Sequence, residues 1–156
     1  MSKPSDRLQA LGLTLPSVAK PVGAYAPCVR HQNTLLLSGQ IPLQDGKLAY
    51  TGRVGGPDGR SVEDAQAAAR VCTLNALAVA AEAAGGLDRV ARVLKVVVYV
   101  ASNPGFIEPH KVANGASDLL ADLFGEAGKH ARAAVGVAEL PLNASVEVDV
   151  MFEVAG

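Results

Sequence analysis

The clearest pattern in the chain lies between Ser61 and Gly85. Ala65, Ala68, Ala69, Cys72, Leu74, Ala76, Leu77, Val79 and Ala80 recur at helical spacing and make a broad apolar stripe. Ser61 with an acid three residues on, Asp64, comes close to a capping box, and Gly85-Gly86 stops the helix. The small residues of the stripe predict close packing onto a sheet. A second helix is predicted from about Pro109 to Phe124, with Val112, Leu119, Leu120, Leu123 and Phe124 as its apolar face and Gly125 beyond its end.

Strands show a different period. Val90 to Ala101 is Val-rich, and Lys95 and Tyr99 share a face by the period-2 rule. In the stretch from Ala144 to Val154, Val146, Val148 and Val150 alternate with Glu147, Asp149 and Met151, which marks two distinct faces. Shorter strands are expected at Tyr25 to His31, Thr34 to Ser38 and Ala133 to Ala138, with Gln32-Asn33 a turn and Leu140-Pro141-Leu142-Asn143 a hairpin connection. Residues 44–60 hold five Gly, two Asp and a Pro and read as loop, with one short strand near Lys47 to Tyr50. A short lead-in helix over 4–12 would take Ser5 as N-cap and Gly12 as its stop.

The order β-β-α-β-α-β-β behind a helical lead-in (residues 1–17) predicts one α+β domain over 1–156. It would have one mixed sheet with both helices on one face. The other face would then be bare. With Val146, Val148 and Val150 assigned to it, that face predicts an oligomer.

Composition narrows the class. Apolar residues make up 49% of the chain but aromatics only 4%, so the core must be aliphatic. Net charge is −1, and Lys and Arg are scattered, which argues against nucleic acid as a partner. Cys28 and Cys72 are far apart, and neither a disulfide framework nor a zinc site is supported. The first residues are polar and charged where a signal peptide needs an apolar core, and no stretch approaches the roughly 18 consecutive apolar residues of a membrane span. A cytoplasmic protein without a membrane partner is expected.

No P-loop, dinucleotide fingerprint, nucleophile elbow or metal-ligand spacing is present, and His31, His110 and His130 are isolated from one another. Four positions stand out. Tyr25 follows Gly23-Ala24, Ser38 precedes Gly39-Gln40-Ile41-Pro42, Arg132 opens an apolar strand, and Glu147 lies between two valines. Taken singly, each also fits an ordinary role: an interface tyrosine, a serine bonded to backbone, a strand-edge cation, a solvated acid.

Three segments change that balance. GAY at 23–25, LLLSGQIP at 35–42 and ARAAVGVAELPLNASVEVDV at 131–150 together resemble the Rid/YjgF family of reactive-intermediate deaminases. The resemblance covers about residues 18 to 154, with a longer loop at 44–60 and the lead-in as departures. It implies a chorismate-mutase-like fold and a homotrimer, its sheets forming a central barrel with a cleft at each subunit interface. It also implies hydrolysis of enamines or imines such as 2-aminoacrylate to a keto acid and ammonia, with no cofactor.

Carried over by position, Arg132 matches the arginine that holds the substrate carboxylate, and Glu147 the acid that positions or activates water. Tyr25 and Ser38 match cleft-lining residues, and Asn114 matches the Asn of the second helix that faces the site. Ala134 stands where many members have Cys, and Gly115 and Ser117 also depart from common members. The rival reading is a non-catalytic trimer that binds a small carboxylate in the same clefts. A ribonuclease is disfavoured by the lack of a basic patch, stacking aromatics or a His pair. An assembly protein without a pocket would bind carboxylates nowhere near Arg132.

Overall fold

The computed structural model describes residues 2–156. The elements in order are α1 (Pro4–Ala10), β1 (Cys28–His31), β2 (Thr34–Leu37), β3 (Leu43–Gln44), β4 (Lys47–Leu48), α2 (Val62–Ala84), β5 (Val90–Ala101), α3 (Pro109–Phe124), β6 (Ala131–Val137) and β7 (Val146–Val154). Five strands make one mixed sheet in the order β1-β2-β7-β5-β6, in which only the β5–β6 pair is parallel. β3 and β4 form a separate small hairpin.

The predicted α2 cap is present: the Ser61 side chain accepts from the Asp64 backbone N–H at 3.1 Å, and Gly85 closes the helix in the left-handed region. By length and composition α2 is long and apolar enough to cross a membrane, but here it is the core helix, with Ala68, Ala69, Cys72, Ala76, Leu77 and Ala80 wholly buried. α1 starts at Pro4, within the expected range, but its cap lies two residues before Ser5. Its N-cap is Lys3, with Pro4 at the first helical position, where a missing N–H costs nothing. Ser5 instead ties the helix to Asp88, through its N–H (2.9 Å) and its hydroxyl (2.7 Å). The helix ends at Ala10, two residues short of Gly12.

Three expectations need correction. The strand expected from Tyr25 begins only at Cys28. Pro27 has no N–H to donate, so Tyr25 stands in the loop before the strand. Leu140 to Asn143 is not a hairpin between sheet neighbours. β6 pairs with β5, and β7 crosses to the far side of β5 to lie between it and β2. The connection contains a short 3-10 turn in which Leu142 and Asn143 have positive φ.

Val146, Val148 and Val150 do not line the bare face either. All three are fully buried under the helices, level with Val100, Val98 and Val96 of β5. The open face carries Glu147, Asp149 and Met151 beside Tyr99, Val97 and Lys95. Its margins expose apolar residues: Val29 at 56%, Leu36 at 40% and Val135 at 41%.

α2 and α3 meet at Gly115. A Cβ there would lie 2.8 Å from the Gln66 carbonyl carbon and 2.9 Å from its Cα. Alanine favours a helix over glycine by about 1 kcal/mol. Overlap with backbone has no rotamer to relieve it, so the helices would have to separate, at about 1–3 kcal/mol. Gly115→Ala is therefore expected to lower the thermal midpoint, and a raised midpoint would show that the contact is softer than the geometry implies.

Candidate active site

The sequence-predicted residues fall into two groups on opposite faces of the sheet. The first group is built on α3 and β6. Arg132 stands level with the buried Val96, on the helix side of the edge strand. Its Nη1 donates to Asn114 Oδ1 at 2.8 Å and Ser117 Oγ at 3.2 Å, and its Nη2 donates to the His110 carbonyl at 3.3 Å. Asn114 and Ser117 reach it together because positions three apart share a helix face.

His130 completes this network. Its Nδ1 lies 2.6 Å from the Gly128 carbonyl and its Nε2 lies 2.9 Å from Ser117 Oγ. The carbonyl can only accept, so Nδ1 carries the proton. In the neutral ring Nε2 then accepts the Ser117 hydroxyl, leaving a Ser117 lone pair for Arg132. Three of the five guanidinium N–H groups are thus used. Nε has no partner among the described residues, and one Nη2 N–H is also left. Nε and Nη2 are neighbouring donors in one plane, and such a pair can hold a carboxylate.

The second group surrounds Glu147 on the open face. Tyr25, Ser38, Gly39, Gln40 and Glu147 line a cleft of about 410 Å³, which Lys20, Val22 and Leu142 also border. Glu147 lies directly over Gly39, where a Cβ would stand 2.8 Å from its Oε1. The glycine in Ser38-Gly39-Gln40 is thus the space the carboxyl occupies. Ser38 donates its hydroxyl to the Ala26 carbonyl at 2.7 Å, which pins the segment that carries Tyr25. Burial, with the nearby Asp149 charge adding to it, raises the Glu147 carboxyl above the usual range, and burial does the same to Asp149.

Arg132 and Glu147 do not meet within one chain. Two strand spacings, about 10 Å along the strands and the thickness of the sheet separate them. Asn114 joins Arg132, while Tyr25 and Ser38 join Glu147. Ala134 sits on the Arg132 side, level with Val98 and packed against the core, and does not line the Glu147 cleft. Cys72 lies fully buried in α2, its thiol pushed well up by burial and then by the charge of Glu147. It is a core residue, as its helical context predicts.

Sequence reasoning missed Ser117, His130 and Gln40 as members of these groups. The spacing of Ser117 from Asn114 on one helix face was the available signal.

The chain matches, over residues 5–154, the family described as "YjgF/chorismate_mutase-like, putative endoribonuclease". It is 48% identical to Protein TCP17 of Trypanosoma cruzi over 147 residues, covering 94% of this chain and 91% of that protein. Among solved structures it resembles the Agrobacterium tumefaciens protein Atu1372, of unknown function, at 46% identity and a TM-score of 0.89, covering 97% of this chain and 93% of that one. It also resembles a Shewanella oneidensis protein named as an endoribonuclease in the same way as the family, at 38% identity and a TM-score of 0.92, covering 98% and 100%. The five-stranded mixed sheet with its helices is the YjgF/chorismate-mutase-like fold, and on sequence and structure together the chain belongs to the YjgF/Rid family.

Proposed function

We propose that the protein hydrolyses enamines and imines of 2-keto acids, in sites formed where Arg132 of one copy of the chain faces Glu147 of another. The observation that carries this reading is the Arg132 guanidinium, held by α3 through three hydrogen bonds yet with Nε and one Nη2 N–H unused. Separation of the two groups on opposite faces supports a site completed by assembly, and the exposed Val29, Leu36 and Val135 support an assembly through the open face. A homotrimer with a central barrel is the assembly proposed.

The chemistry asks little of the protein. An enamine such as 2-aminoacrylate tautomerises to its imine, in which C2 is electrophilic. Arg132 holds the carboxylate and so fixes the C=N bond. Glu147 takes a proton from water as the oxygen bonds to C2 and returns it to the nitrogen. The carbinolamine hydroxyl proton then passes to the amine, again by way of Glu147, and the C–N bond breaks to give ammonia and the 2-keto acid. Tyr25 and Ser38 line the cleft in which this takes place. No residue forms a covalent bond to the substrate, so Ala134 in place of a cysteine does not block the reaction.

The test is hydrolysis of an imine generated in place by an amino-acid oxidase, followed by loss of imine and release of ammonia. Acceleration over the protein-free rate is expected. The pH profile carries a signature of Glu147. Its ionised form is the base, so the rate should fall as pH drops through its raised value, at a higher pH than an ordinary glutamate would give. Glu147→Gln should remove that limb together with most of the rate.

The same shift has a stability counterpart. A carboxyl raised in the folded state contributes stability below the unfolded carboxyl range and loses it as pH rises through the folded value. Glu147→Gln is therefore expected to unfold at a higher temperature than wild type near neutral pH. An unchanged limb in this variant would assign the base to another group.

A second reading, binding of a small carboxylate without turnover, is favoured by the same Arg132 guanidinium, which recognises an anion with or without chemistry. Saturable binding with no ammonia release would select it. The endoribonuclease name of the family finds no support in a chain of net charge −1 with scattered cations.

A further inference from the structure

The cleft at Glu147 has a neighbour across Gln40. A second cavity of about 480 Å³ lies behind it, under the segment that links α1 to β1, and the two share Ala19, Gln40 and Leu43 as walls. Its apolar surface comes from Leu15 and Val18 on that segment, Leu43 of β3 and the buried Val79 of α2. Asn75 donates to the carbonyls of Ile41 (3.2 Å) and Leu43 (3.0 Å), which holds the 41–43 wall in place. With both its N–H groups used, only its Oδ1 is left to the cavity, and an acceptor cannot serve an anion. Asp45, at the turn between β3 and β4, adds a carboxylate to the lining.

Gln40 stands at the junction. Its backbone exchanges hydrogen bonds with Val148 (2.8 and 2.9 Å), and its side-chain Nε2 donates to the Ser38 carbonyl at 3.0 Å. The amide is thus held in the wall that the two spaces share. The cover is looser. Among the described residues, no backbone–backbone hydrogen bond ties residues 14–25 to the rest of the chain. A cover held by side-chain packing alone can shift to admit a ligand.

We infer that this rear chamber receives the substrate's side chain, and that the preferred substrates are 2-imino acids with an aliphatic or thioether side chain of about four heavy atoms or more rather than the three-carbon 2-aminoacrylate. The inference rests on the proposed site, because it takes the reacting carbon to sit at Glu147. Apolar walls favour each added methylene. Asn75 Oδ1 and Asp45 oppose a side chain that ends in a carboxylate.

The test is calorimetric titration with 2-oxo acids, the products of the proposed reaction, into the assembled protein. Pyruvate, 4-methyl-2-oxopentanoate and 2-oxoglutarate would be compared in wild type and two variants that fill the chamber. Val79→Phe fills it from α2. Val18→Trp fills it from the exposed segment, with little risk to folding. Wild type is expected to bind the six-carbon acid at least about tenfold more tightly than pyruvate, from three further carbons buried. It should bind 2-oxoglutarate no better than pyruvate. Both variants should lose the gain and keep their pyruvate affinity.

Equal affinities in wild type, no binding of any acid, or variants that weaken both acids alike would overturn the inference. Imine hydrolysis measured in parallel separates the two ideas. Chain-length preference without turnover would sink the deaminase reading and leave the chamber standing.

Discussion

Arg132→Ala is expected to lower kcat/KM for imine hydrolysis by about two orders of magnitude, roughly 3 kcal/mol, the scale on which a charge-assisted bidentate pair contributes to binding. Most of the loss should fall in KM, because the carboxylate is unchanged during the reaction and is held equally in ground and transition states. The part that falls in kcat measures how far the fork also aims the C=N bond. Arg132→Lys should recover little, since an ammonium has no planar fork and cannot reach Asn114, Ser117 and the His110 carbonyl at once.

The same variant tests where the site is made. If Arg132 and Glu147 act from different copies, mixing Arg132→Ala chains with Glu147→Gln chains, unfolded and reassembled together, should restore activity. With equal amounts and random assembly, about a quarter of the interfaces would pair two intact halves. No restoration from two soluble, assembled variants would place both residues of each working site on one chain. The sheet that now separates them would then have to rearrange.

The largest effect on stability is expected at Phe152. Its ring is fully buried on β7, between Leu35 of β2 and Val93 of β5, and packs at 6.4 Å against Phe124 of α3 with a tilt of 43°. It touches both halves of the sheet and the helical layer. With three Phe, three Tyr and no Trp in the chain, few other side chains can fill such a volume. Phe152→Ala should cost about 3–5 kcal/mol, from the transfer energy of the ring and from the cavity left behind. That is a large share of the roughly 5–15 kcal/mol that holds a typical domain together. Urea unfolding followed by far-ultraviolet circular dichroism, suited to a chain without Trp, would show the midpoint fall. A loss under about 1 kcal/mol would mean that the neighbouring side chains collapse into the space.

Much of the fold was legible because its signals are local. The valines from Val90 to Ala101 gave the strand β5, and the Ser61 cap and Gly85-Gly86 bounded α2. Pairing was not legible. Nothing near Leu140 to Asn143 indicates that β7 passes over β5 to reach β2, because that choice is made by residues more than a hundred positions away. The alternation from Val146 onward announced two faces, but assigning the valines to a subunit contact overlooked that the helices must cover an apolar face first.

The site was legible unevenly. Arg132 and Glu147 stood out through resemblance to a family, not through their own surroundings. Residue type and spacing say little about two groups that face away from each other. Ser117 and His130 gained their meaning only when α3 was laid beside β6. Gly39 is the reverse case. Its place beside Ser38 is visible in the sequence, yet its purpose, room for the Glu147 carboxyl, appears only in three dimensions.

The position of β7 bears on how the polypeptide acquires its shape during synthesis. β7 is made after every other strand, yet it sits between β2 and β5. Until it emerges from the ribosome, β2 and β5 each have an unsatisfied edge, and the β1–β2 ribbon has no seam to β5. Completion must therefore wait for synthesis of the final strand, and the Val-rich β5 is exposed to neighbouring nascent chains in the meantime. Slowing elongation before residue 146 should therefore raise co-translational aggregation.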